Sequence, residues 1–91
     1  MIGEFVLVRS ARAGVHTGYL IENMGMVAVL RESRNIHWWS NANTIAEISI
    51  HGVGEDSRIS EPVDKRLLTE VIEIIPCTEK ARENLCQSRW S

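Results

Sequence analysis

Between residues 4 and 39 the chain is a succession of short apolar runs, rich in β-branched residues and cut every few positions by Gly, Asn or Ser. Runs of that length with two-residue alternation fit strands joined by tight turns and leave no room for a helical bundle. Residues 4–10 (E-F-V-L-V-R-S) put Phe5, Leu7 and Arg9 on one face and Val6 and Val8 on the other, the pattern of a strand buried on one or both faces. Arg12, Ala13 and Gly14 supply a turn, and residues 15–22 resume the extended pattern, with Gly18 marking a bulge or bend. Asn23, Met24 and Gly25 have the turn chemistry of a hairpin whose returning strand is residues 26–31. Glu32, Ser33 and Arg34 predict another tight connection into a fourth strand at residues 35–39.

From Ser40 the signals change. Thr44 with Glu47 three residues later fits a capping box, so a short helix is expected over about Ile45–His51, stopped by Gly52, with Ile45, Ala46 and Ile48 as its apolar residues and Glu47 and Ser49 toward water. Residues 53–65, rich in Gly, Ser, Asp, Glu and Pro, read as a mobile loop. Residues 67–75 read as one further strand ended by Pro76, and Thr78 as the cap of a last helix carrying Ala81, Leu85 and Cys86 on a narrow apolar stripe, frayed at its end unless Trp90 docks. The expected fold is mainly β: a small, strongly bent antiparallel sheet or partly open barrel of SH3-like or Sm-like shape, with one internal helix and one C-terminal helix.

Size and charge narrow the class. A chain of 91 residues is one domain, 1–91, and small enough that a homo-oligomer is expected to complete its core. A net charge of -2 argues against a general polyanion binder and leaves room for local basic patches, and the basic residues comprise eight Arg against two Lys, a skew toward the side chain suited to phosphate, carboxylate and flat rings. Cys77 and Cys86 make no disulfide framework, and no leader-like start or membrane-length apolar run is read from the sequence. A cytoplasmic protein without membrane association is expected.

The densest group of unusual residues is R-N-I-H-W-W-S-N-A-N at residues 34–43. Neighbours on a regular strand point to opposite faces, so Trp38 and Trp39 must diverge. Alternation favours Trp38 in the core beside Ile36, and Trp39 outside beside His37. One indole filling the core and the other packing under a helix or in an interface would account for the pair structurally. A stacking platform is the functional alternative, since an indole under a base is worth roughly 1–3 kcal/mol, Asn amides can pair with base edges, and Arg can reach phosphate. The candidate ligand-binding residues are Arg34, His37, Trp38, Trp39, Asn41 and Asn43. His16, His37 and His51 match no metal-ligand spacing with either cysteine, and no nucleophile elbow or phosphate loop is present. No metal, cofactor or catalytic residue is therefore expected.

The strings V-L-V-R-S, A-G-V-H-T-G-Y-L, R-N-I-H-W-W-S-N-A and V-I-E-I-I-P-C-T-E-K-A resemble an uncharacterised family of short bacteriophage and prophage proteins, over roughly the whole chain. The resemblance implies a phage setting, in the host cytoplasm, where very small proteins bind and disable host components. One class of these sequesters nucleotide immune signals in pockets between subunits. The resulting expectation is a non-enzymatic protein that holds a nucleotide-type ligand, a cyclic nucleotide or ADP-ribose derivative, to counter host defence. Two alternatives stay open: a nucleic-acid-binding module using Arg9, Arg12, Arg31 and Arg34 on one sheet face, and an inhibitor that binds a host enzyme through an exposed Trp.

Overall fold

A computed structural model describes residues 1–87, which form a mainly β fold. In chain order the elements are β1 (Phe5–Ser10), β2 (Gly14–Met24), β3 (Val27–Trp38), α1 (Ile45–His51), β4 (Arg58–Ile59), β5 (Val63–Leu68), β6 (Val71–Pro76) and α2 (Glu79–Leu85). Pairing is antiparallel throughout and runs β4-β3-β2-β1-β6, with β5 also on β3. The long β3 serves two partners in succession: residues 28–33 face β5, and residues 36–38 face β4.

The sheet bends strongly but does not close, which corrects the expectation of a barrel. Its ends are β5 and β6, joined across Thr69 and Glu70 yet not hydrogen-bonded to each other. The corner is fastened elsewhere: Glu70 turns the chain at φ 53, its carbonyl accepts from the Ala11 amide at 2.9 Å, and the Val71 amide donates to the Met26 carbonyl at 2.9 Å. Backbone groups that would zip the two strands together are thus engaged by the β1 end and the hairpin tip. The same corner splits the single strand expected over residues 67–75 into two.

A second difference lies in β3. The expected tight connection at Glu32, Ser33 and Arg34 is a bulge inside one 12-residue strand. Tyr19 pairs with Arg31 and Thr17 with Arg34, so Glu32 and Ser33 together oppose Gly18 alone, and Glu32 sits at φ 52. The extra residue bends the strand without ending it. Gly18 is required by proximity: a Cβ there would lie 2.9 Å from the Arg31 carbonyl oxygen and 3.0 Å from the Leu30 Cβ. Residues 53–65 are likewise not a continuous loop. They contain β4 and the start of β5, and Val53, Ser57 and Ile59 are buried.

Alternation along β1 feeds two hydrophobic clusters. Val6 and Val8 join Leu20, Ala28, Leu30, Leu68 and Val71 in the hollow of the bent sheet. Phe5 and Leu7 join Val15, Ile36, Ile48, Val53, Ile59 and Leu85 on the other face, beneath the helices. Both helices begin as their sequences predict. The Thr44 side chain accepts from the Glu47 amide and the Thr78 side chain from the Ala81 amide, while Gly52 closes α1 with its amide on the Ile48 carbonyl at 2.8 Å. On α1, Ile48 is buried and Ile45 packs on the cluster as expected, but Ser49 takes the inner place expected for Ala46. Ser49 is buried, its hydroxyl donating to the Ala46 carbonyl at 2.6 Å, while Ala46 and Ile50 face out. In α2, Ala81 and Leu85 are buried and Cys86 is exposed. The expectation for Trp90 falls outside the described residues.

Candidate functional site

Where β3 meets β4, Ile36 pairs with Ile59 and Trp38 with Arg58, so two steps along β3 match one step along β4. His37 is the extra residue of this bulge, and the bulge cancels the alternation that would have put Ile36 and Trp38 on one face. Ile36 stays 2% exposed while Trp38 is 49% exposed. Trp39 is half-buried and packs on the cluster beneath the helices. The two indoles do diverge, but with roles opposite to those expected: Trp38 is the outer ring and Trp39 the packed one.

Trp38, His37, Asp56 and Arg58 line an open-sided cleft of about 600 Å³. Its wall is built by two segments that clamp each other. The Gly54 amide donates to the Ser40 carbonyl at 2.9 Å, the Ser40 amide to the Ser57 hydroxyl at 3.1 Å, and the Ser40 hydroxyl to Asp56 Oδ1. Gly54 leaves room for this arrangement: a Cβ there would lie against the Ser40 hydroxyl and 2.8 Å from Asn41 Nδ2, so those side chains would have to turn aside. Asp56 therefore has one oxygen fixed in place, and it forms no ion pair with Arg58.

Arg58 differs from the other described arginines. Arg9, Arg12, Arg31 and Arg82 each lie beside a glutamate, namely Glu73, Glu70, Glu32 and Glu79. Arg66 donates to the Ser33 hydroxyl at 3.0 Å. Arg34 is buried and donates to the carbonyls of Ser60 at 2.8 Å, Leu85 at 3.3 Å and Gln87 at 2.6 Å. Among the described residues Arg58 alone of the arginines has no side-chain hydrogen bond or ion pair. The guanidinium groups of Arg9, Arg12, Arg31 and Arg34 do not form a free basic face.

Of the six residues singled out from the sequence, the fold brings only His37 and Trp38 to the cleft. Arg34 ties β3 to the segment after α2 and to the segment before β5. Asn43 serves the start of α1, its amide donating to Glu47 Oε1 at 3.0 Å. Asn41 makes a turn at φ 63. Asp56 and Arg58 were missed because they stand in a stretch that reads as loop. The available signal was Arg58 followed by the apolar Ile59, a minimal strand alternation.

A smaller cavity of about 100 Å³ is lined by Phe5, Tyr19, Glu32, Arg34, Pro62 and Cys86. Its aromatic wall is an edge-on Phe5–Tyr19 pair at 5.2 Å, with the Arg31 guanidinium 4.8 Å above the Tyr19 ring. Burial, with Cys86 nearby, pushes the Cys77 thiol up to about 12, which holds it as a poorly nucleophilic thiol. Among the described residues there is no cluster of three or more His, Cys, Asp or Glu that could hold a metal ion, and no helix is long and apolar enough to cross a membrane.

No curated protein and no solved structure matches the chain. One family does match, described as a domain of unknown function, DUF6948. That description names neither a source nor a role, so it lends nothing to the phage setting and counter-defence role implied by the resemblance. The match extends over residues 3–85, from before β1 to the end of α2, and the chain belongs to this DUF6948 family.

Proposed function

We propose that this domain is a binding module for a small ligand that joins a flat ring to an anionic group, the chemistry of a nucleotide, and that the cleft of Trp38, His37 and Arg58 receives it. The observation that carries the reading is Arg58: the one described arginine whose side chain has no partner lies cross-strand from an indole that is 49% exposed. A half-exposed Trp offers a plate for stacking, and an unengaged guanidinium offers a fork of donors for phosphate or carboxylate. His37, the bulge residue before Trp38, adds its ring to the same wall. A polynucleotide-binding role has less support, since Arg9, Arg12 and Arg31 are next to carboxylates and Arg34 is buried.

Calorimetry of the folded protein against nucleoside monophosphates, cyclic di- and trinucleotides and ADP-ribose tests the proposal. Saturable heat with at least one of them is expected, abolished in Trp38→Ala and Arg58→Ala variants whose circular dichroism is unchanged. No heat with any member, or heat that survives both substitutions, overturns it.

A further inference from the structure

The cleft holds a carboxylate that a simple anion site would avoid. Asp56 lines the same wall as Arg58, two residues before it, and the two charges make no pair with each other. The Ser40 hydroxyl donates to one Asp56 oxygen, and the Ser40 amide and carbonyl are in turn held by Ser57 and Gly54, so the carboxylate is aimed by a framework of three bonds. A fixed, exposed carboxylate is an acceptor with no donor to offer. Next to an aromatic plate and an unengaged guanidinium, it calls for a ring whose edge presents N–H donors side by side, on a molecule whose other end is anionic.

Among the common bases only guanine has that edge. Its ring N1–H and exocyclic amino group are adjacent donors that two carboxylate oxygens, or one oxygen shared between them, can accept. Adenine alternates donor and acceptor, uracil sets a single N–H between two carbonyl oxygens, and cytosine sets its amino group beside a ring acceptor. Each of these would bring a lone pair against Asp56, and a lone pair facing a fixed carboxylate is repelled rather than bound. We infer that the cleft selects a guanine-type anionic ligand, with Asp56 reading the base edge, Trp38 stacking the ring and Arg58 meeting the phosphate. This inference rests on the binding role proposed above, and it makes Ser40 and Gly54 positioning residues that act through Asp56.

Titration of the intact protein with GMP, AMP, UMP and CMP, followed by calorimetry, tests both levels separately. GMP is expected to bind at least about tenfold more tightly than the other three, the discrimination of one well-made bidentate edge contact. In Asp56→Asn, where the Ser40 hydroxyl still has an oxygen to donate to, GMP affinity should fall by about tenfold while AMP affinity changes by less than about threefold. Arg58→Ala should weaken all four alike. Equal affinities for the four nucleotides, or an Asp56→Asn variant that keeps full GMP affinity, overturns the guanine assignment and leaves the binding role standing. Absence of binding by all four overturns the guanine assignment, and the binding role falls with it only when the cyclic nucleotides and ADP-ribose give no heat either.

Discussion

The two hydrophobic clusters share strand β1 yet are built on different principles. The cluster in the hollow of the sheet is aliphatic throughout and comes from strands and the β5–β6 corner, so bending of the sheet alone encloses it. The cluster on the opposite face needs the lids α1 and α2, and its rim is formed by half-buried groups, the rings of Tyr19 and Trp39 together with Ala42, Ile45 and Cys77. The first holds the fold. The second also positions the cleft, because Ile36 and Ile59 belong to it and their pairing places Trp38 opposite Arg58.

The comparison can be broken most severely from the hollow side. Leu30→Ala, at a fully buried site, is expected to cost about 2–5 kcal/mol and to leave a domain of this size largely unfolded, as read by urea denaturation. A small loss there would mean that the hollow is not the main support. Arg34→Ala leaves the carbonyls of Ser60, Leu85 and Gln87 without their shared donor, and we expect a loss of about 2–4 kcal/mol in the same assay. If stability is unchanged, the buried guanidinium is not what joins α2's end to the sheet.

The adjacent indoles sharpen the contrast at the rim. Trp39→Ala should cost about 1–3 kcal/mol, while Trp38→Ala should stay within about 0.5 kcal/mol of the parent. Equal losses would show that Trp38 is a structural residue and would remove the plate from the proposed site.

The smallest effect concerns His16, buried on β2. Its Nε2 lies 2.8 Å from the Ala13 carbonyl, so that nitrogen carries the proton, and the buried Nδ1 has no partner. Burial lowers its pKa from 6.5, against the raising effect of the Ala13 carbonyl and helped by the charge of Arg66. The unfolded chain therefore takes up the proton first as pH falls. Stability is expected to hold above about pH 6.5, to decline below it until the folded state is protonated too, and then to level for this group. A His16→Gln variant should lose that decline in urea titrations at several pH values, and an unchanged slope would assign it to other groups.

Much of the local structure was legible in the residues. Thr44 and Gly52 mark both ends of α1, and Thr78 marks the start of α2, since capping depends on a side chain and its neighbours three positions away. The hairpin at Gly25 and the bulge at Gly18 were legible for the same reason. The sheet's open edge, the long β3 and the two-residue β4 were not, because each depends on which distant backbone groups are already engaged. Half of the candidate site went the same way: His37 and Trp38 stand out by type, whereas Asp56 and Arg58 are unremarkable in a polar stretch until β4 is paired with β3.

By itself, the sequence determined an antiparallel, strand-dominated domain with two capped helices and one aromatic plate turned outward, because alternation and capping are short-range physics. Only the tertiary structure decided which tryptophan that plate is. One extra residue between Ile36 and Trp38, opposite a partner of two residues, reverses every side chain after it, and such a register shift exists only in the pairing of two strands.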